Sequence, residues 1–120
     1  MFLLDEVDVR TDEFMKWCKM MEVEPYLGLN MGTGTLMEAL AWAEYCNSTS
    51  NTYYANLRRQ NGHPEPFNVK YWALGNEIYG PWQVEAQSKE DYAKKAIRWA
   101  KSLRLEDQVD RLWGDGRLYK

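Results

Sequence analysis

The chain has one histidine, two cysteines and four prolines, and it has no apolar run long enough to cross a bilayer. Each shortage removes a class of function. His63, with Cys18 and Cys46 far apart and in no C-x-x-C pair, supplies too few ligands for a zinc site of any familiar spacing. The two cysteines are expected as buried free thiols. Cations are in the minority, 15 Lys and Arg against 18 Asp and Glu, for a net charge of −3. Beyond Arg58-Arg59 and Lys94-Lys95 no basic cluster stands out, so nucleic acid is not an expected partner, and without a spanning run neither is a membrane. Residues 1–10 lack the basic start and long apolar stretch of a secretory signal, which makes the expected compartment cytoplasmic by default. Asn47-Ser48-Thr49 has the glycosylation pattern without that context.

Aromatic residues are what the chain has in plenty, with six Trp and eight Tyr in 120 residues. That length is one small domain. Rings in such number serve either core packing or stacking against sugars and bases. They gather in Tyr71–Trp82, YWALGNEIYGPW. Val69–Leu74 reads as a buried strand, with Val69, Tyr71 and Trp72 of high strand preference, bounded by Pro64–Pro66 and by Gly75. An amide and a carboxyl, Asn76 and Glu77, follow the glycine. Strand ends followed by a helix are where α/β proteins hold catalytic side chains, although a cap or a solvated loop is the commoner use of such a pair. Ile78, Tyr79, Pro81 and Trp82 form a stiff aromatic loop able to wall a pocket. A carboxyl beside apolar rings tends toward a raised pKa, which suits a general acid.

The rest of the chain reads as helices and one more strand. Residues 1–10 are expected as a frayed strand or a disordered lead-in. A helix opens at Thr11, the expected N-cap, with Asp12 and Glu13 in its first turn. It buries Phe14, Trp17, Cys18 and Met21 and stops before Pro25. Glu24–Asn30 is a short strand with both faces covered. The turn Met31–Thr35 fits neither glycine-rich phosphate-binding spacing, so it is a tight turn with Thr35 capping the next helix. That helix runs from Leu36 to Cys46, with Leu36, Ala39, Leu40, Ala43 and Cys46 on its apolar face. Tyr53–Gln60 is a short helix, and Asn61–Pro66 is a turn-rich connection in which His63 is structural or orients a neighbouring carboxylate. A last helix, Lys89–Leu103, starts at Ser88 and packs Tyr92, Ala96, Trp99 and Leu103 along one side. In the polar tail, Val109, Leu112 and Trp113 are candidates for a further strand. This order predicts an α/β fold with a parallel sheet, either a small open domain or a slice of a larger one.

Three words, TDEFMKWC, EPYLGLNMGTGT and NGHPEPFNVKYWALGNEIYGPWQ, occur in this order. With them the chain resembles the glycoside hydrolase family 51 α-L-arabinofuranosidases from about Thr11 to Leu103. The resemblance implies a fragment of a (β/α)8 barrel, about its third and fourth βα units preceded by one helix. Residues 11–105 would be the partial catalytic domain, between a divergent lead-in (1–10) and a divergent tail (106–120). It further implies a retaining hydrolase that removes terminal arabinofuranose from arabinan- and arabinoxylan-type polysaccharides without a cofactor. Carried over by motif, Glu77 is the general acid/base and Asn76 hydrogen-bonds the sugar, with Asn30 and Trp82 as supporting substrate contacts.

A retaining enzyme also needs a carboxylate nucleophile about 5–5.5 Å from its acid. In the family that residue is a Glu on the seventh strand, so this chain carries no nucleophile and is expected to be inactive alone. Asp5, Glu6, Asp8 and Glu65 have no context for that role. The alternatives are a gene relic or a non-catalytic fragment that binds sugar or a partner through Tyr71, Trp72, Tyr79 and Trp82. Self-association through uncovered barrel surface is also expected.

Overall fold

The computed structural model describes residues 2–75 and 88–114, with side-chain surroundings over 10–75 and 88–106. Asn76, Glu77, Tyr79 and Trp82 lie outside the described residues. In chain order the elements are α1 (Phe2–Met21), β1 (Tyr26–Leu29), α2 (Leu36–Asn47), α3 (Tyr53–Gln60), β2 (Tyr71–Leu74) and α4 (Lys89–Gly114). The fold is α/β. β1 and β2 pair in parallel, with Tyr26 opposite Tyr71 and Leu29 opposite Leu74.

Both outer helices are longer than expected. Residues 2–10 continue α1 and are neither strand nor loose lead-in, and α4 runs through Val109, Leu112 and Trp113 to Gly114. Neither stretch contains an internal Gly or Pro to stop it. Thr11 is therefore an interior residue, not a cap. α1 is stopped after Met21 by Glu22, which takes the left-handed conformation (φ 55°) while the Val23 amide returns to the Cys18 carbonyl at 3.0 Å.

α1 also turns a different face inward. Thr11, Met15 and Cys18 are buried, while Phe14, Trp17 and Met21 are exposed, with the Phe14 and Trp17 rings stacked 6.2 Å apart. Two side chains of α2 decide this rotation. Trp42 donates its indole N–H to Thr11 Oγ1 at 3.1 Å, and the Tyr45 hydroxyl donates to Asp12 Oδ1 at 2.7 Å. Asp12 thus serves as a buried acceptor and not as a first-turn charge.

The core has two lobes. Met15, Leu27, Tyr45, Cys46 and Val69 form one, and Leu29, Met31, Ala39 and Trp99 form the other. Trp42 and Trp72 belong to both and meet edge to face at 5.7 Å. On α4 the expected residues Tyr92, Ala96, Trp99 and Leu103 make the contact. On α2 the expected Ala39 and Cys46 are buried and Leu36 packs on the second lobe, while Ala41 and Tyr45 are buried where Leu40 and Ala43 were expected. Cys18 and Cys46 are buried free thiols.

Among the described residues, only one face of the sheet is covered. Leu27 and Leu29 are buried, whereas Tyr26 and Tyr71, 69% and 55% exposed, stand on the other face beside Gly28. This corrects the expectation that both faces of β1 are covered.

Two side chains hold the layer between helix and sheet. Arg58 is wholly buried, and its guanidinium donates to the carbonyls of Tyr45 (3.0 Å), Ser48 (2.9 Å), His63 (3.1 Å) and Pro64 (3.3 Å). A buried cation is tolerable only with its donors engaged. Asn47 clasps the residue ahead of β2, accepting from Val69 N (2.7 Å) and donating to Val69 O (2.9 Å). That clasp occupies the amide of the Asn47-Ser48-Thr49 pattern.

Candidate active site

The strand register sets the site. Because Leu29 lies opposite Leu74, the chain leaves both strands at the same edge, at Asn30 and Gly75. In parallel α/β sheets this carboxyl edge carries the chemistry. Gly75 has φ 86°, a left-handed conformation that favours glycine, and Asn76 and Glu77 follow it in sequence.

Asn30 organises its own loop. Its Oδ1 accepts from the amides of Gly32 (3.2 Å) and Thr33 (3.1 Å), and its Nδ2 donates to Thr33 Oγ1 (3.0 Å). A side chain so engaged shapes the loop at this edge. Gly34 closes the turn, since a Cβ there would lie 2.5 Å from the Asn30 carbonyl oxygen. Thr35 caps α2, accepting from Glu38 N at 3.2 Å, and Ser88 caps α4, accepting from Asp91 N at 3.2 Å.

Two residues of α4 reach this edge. The Tyr92 hydroxyl donates to the Leu74 carbonyl at 2.8 Å. Lys95 Nζ donates to the Met31 carbonyl at 2.7 Å and lies 5.5 Å from the centre of the Trp99 ring. In the sequence Tyr92 falls on the packing face, and Lys95 stands out only as half of the basic pair Lys94-Lys95, a cation beside an apolar stripe.

His63 belongs to the opposite, amino edge. Its Nε2 lies 3.5 Å from Asp12 Oδ2, its ring is 5.3 Å from Phe67, and Asn61 donates to the Tyr45 hydroxyl at 3.1 Å. The group links α1, α2 and the connection after α3, which makes His63 structural. An open concavity among the described residues also lies at this edge. It measures ≈ 1290 Å³ and is bordered by Glu24, Phe67, Lys70 and the end of α4. At the carboxyl edge a shallower cleft of ≈ 500 Å³ runs between Gly34–Leu36 and Asp91, Lys95 and Arg98. Strand direction is the better guide to the reactive edge, so the size of the larger groove does not move the candidate site. Of the rings expected to offer a stacking surface, Trp72 is packed in the core.

The model of the α-L-arabinofuranosidase 1 domain matches residues 5–109. The chain belongs to this family, glycoside hydrolase family 51. It is 70% identical over 97 residues to α-L-arabinofuranosidase C of Emericella nidulans, which covers 81% of this chain and 19% of that protein. It is 36% identical over 100 residues to the intracellular exo-α-(1→5)-L-arabinofuranosidase 1 of Bacillus subtilis, covering 83% of this chain and 20% of that protein. The α-L-arabinofuranosidase of Thermotoga maritima, solved as an arabinose complex, superposes with a TM-score of 0.80 at 54% identity. That match covers 82% of this chain and 20% of the solved one. The chain thus spans about a fifth of the length of the relatives it matches. The similarity reaches past Thr11 and Leu103 to residues 5 and 109, into both ends that read as divergent.

Proposed function

We propose that this chain is part of the catalytic barrel of a retaining α-L-arabinofuranosidase and carries its general acid/base, Glu77. The observation that carries the reading is the family word Gly75-Asn76-Glu77 at the carboxyl end of β2. The register sets that end beside the rim loop of β1. The sheet is what a slice of a (β/α)8 barrel requires. Its strands are parallel, α2 and α4 cover one face, and the face with Tyr26, Gly28 and Tyr71 is left for the barrel interior. β1 and β2 are then about the third and fourth strands, and α1 is the helix before them. Residues 11–105 form the core of the segment.

The substrate is a polysaccharide or oligosaccharide with terminal arabinofuranose. Glu77, protonated, gives its proton to the leaving glycosidic oxygen while a carboxylate from outside these 120 residues attacks the anomeric carbon. The glycosyl-enzyme then yields to water, from which Glu77 takes the proton. Asn76 hydrogen-bonds the sugar, Trp82 walls the pocket, and Asn30 shapes the rim. With one of the two required carboxyls, the 120 residues do not hydrolyse substrate alone.

The test is Glu77→Gln in the full-length setting, with this chain's segment replacing the matching segment of the Emericella nidulans relative. Loss of the proton donor should cut turnover of arabino-oligosaccharides by about 10²–10⁴-fold. Aryl arabinosides with activated leaving groups need little protonation and should lose far less. Equal losses on both substrates would remove Glu77 from the acid role.

A further inference from the structure

We infer that Tyr92 and Lys95 are positioning residues that clamp the start of α4 onto the carboxyl ends of both strands. They fix the rim of the site without touching substrate. The two stand three apart on α4 and so share one face of the helix. Tyr92 holds the last carbonyl of β2, at Leu74, and Lys95 holds the second loop carbonyl after β1, at Met31. Both acceptors stand at the edge where a parallel ladder stops and carbonyls lose their strand partners.

The surroundings suit a fixed fastening. Met31 is 1% exposed and its amide turns back to the Leu29 carbonyl at 3.0 Å, so the carbonyl offered to Lys95 belongs to an anchored residue. The ammonium is steered by the Trp99 ring, itself 2% exposed in the lobe that holds Leu29 and Met31. The rim loop beyond Met31 is locked by Asn30 and Gly34. Gly75 and Ser88, the described residues on either side of the Asn76–Glu77 stretch, are thereby set relative to β1. Gly75 adjoins Leu74, and Ser88 begins the helix that both side chains fasten.

This role rests on the arabinofuranosidase reading, and a reacting group misplaced by about 1 Å costs about 10²-fold in rate. Tyr92→Phe removes one hydroxyl, and Lys95→Met removes the ammonium while keeping a stem on Trp99. In the full-length graft described above, each should lower kcat about tenfold or more, with KM held within about twofold. Lys95→Arg should restore most of the turnover. Amide exchange of residues 30–35 should quicken in Lys95→Met. A variant that melts earlier but keeps kcat at low temperature overturns the positioning role, as does a loss confined to KM. Unchanged exchange at residues 30–35 overturns the clamp itself. Glu77→Gln separates the two ideas. If it is inactive while Tyr92→Phe and Lys95→Met turn over normally, the clamp is wrong and the acid assignment stands. If it is fully active, the acid assignment is wrong and exchange decides the clamp.

Discussion

Arg58 shows how one side chain carries a disproportionate share of this small fold. Its guanidinium satisfies carbonyls at the end of α2 and in the connection after α3, with no exposed surface. Arg58→Met would fill much of the volume but remove the charged donor that meets the Tyr45 and Ser48 carbonyls in buried surroundings. A hydrogen bond from a charged group contributes about 1.5–3 kcal/mol, so the two together are a large fraction of the stability of a small domain. The expected outcome in far-UV circular dichroism is loss of the folded signal; a melting curve like the parent's would show that water replaces the guanidinium. The Arg58-Arg59 pair was visible as basic residues, but its burial was not. An arginine reads as surface until one knows which carbonyls converge on it.

At the scale of elements, the loop after β1 depends on Gly34. Gly34→Ala sets a methyl group against the Asn30 carbonyl, and the loop must open to admit it. A destabilisation of about 1–3 kcal/mol is expected, as for other overpacked sites. Faster amide exchange at residues 31–35 would report it, and a parent-like exchange pattern would show that the turn relaxes without cost. The elements themselves were largely legible. α3 runs over the expected Tyr53–Gln60, and the caps Thr35 and Ser88 are in place. The strands are shorter than their apolar runs, because such runs do not mark where pairing starts. Val69 looks like strand but is held by the Asn47 side chain, and the ladder begins at Tyr71. The face of α1 was misread for a related reason. Phe14–Trp17–Met21 and Met15–Cys18 both have helical spacing, and the choice fell to Trp42 and Tyr45 on another helix.

For the whole molecule, the uncovered surface is the main consequence. Tyr26 and Tyr71 on the bare sheet face, with Phe14, Trp17 and Met21 on α1, leave more apolar surface in contact with water than a small monomer usually shows. Among the described residues the sheet has two strands, and so small a sheet keeps edges that invite pairing. The 120-residue chain is expected to associate as its concentration rises. Sedimentation equilibrium would measure this, and a monomer across the micromolar range would mean that these faces close within one chain. In the proposed barrel the same faces are interior or inter-helix surface, so exposure here and catalytic competence there have one cause.

The family, the α/β class and the candidate acid Glu77 were readable from residue order alone, because chemistry at a strand end is written in contiguous words such as Gly75-Asn76-Glu77. Local rules of spacing and capping likewise located α2, α3 and the start of α4. What needed three dimensions was every choice settled between distant segments. The inward face of α1 is set by Trp42 and Tyr45, and the burial of Arg58 by carbonyls of separate segments. The bonding of Asn30 within its own loop is short in sequence, yet it needed the geometry of a turn. The fastening of α4 to Met31 joins residues 64 apart, a separation across which no local pattern carries information.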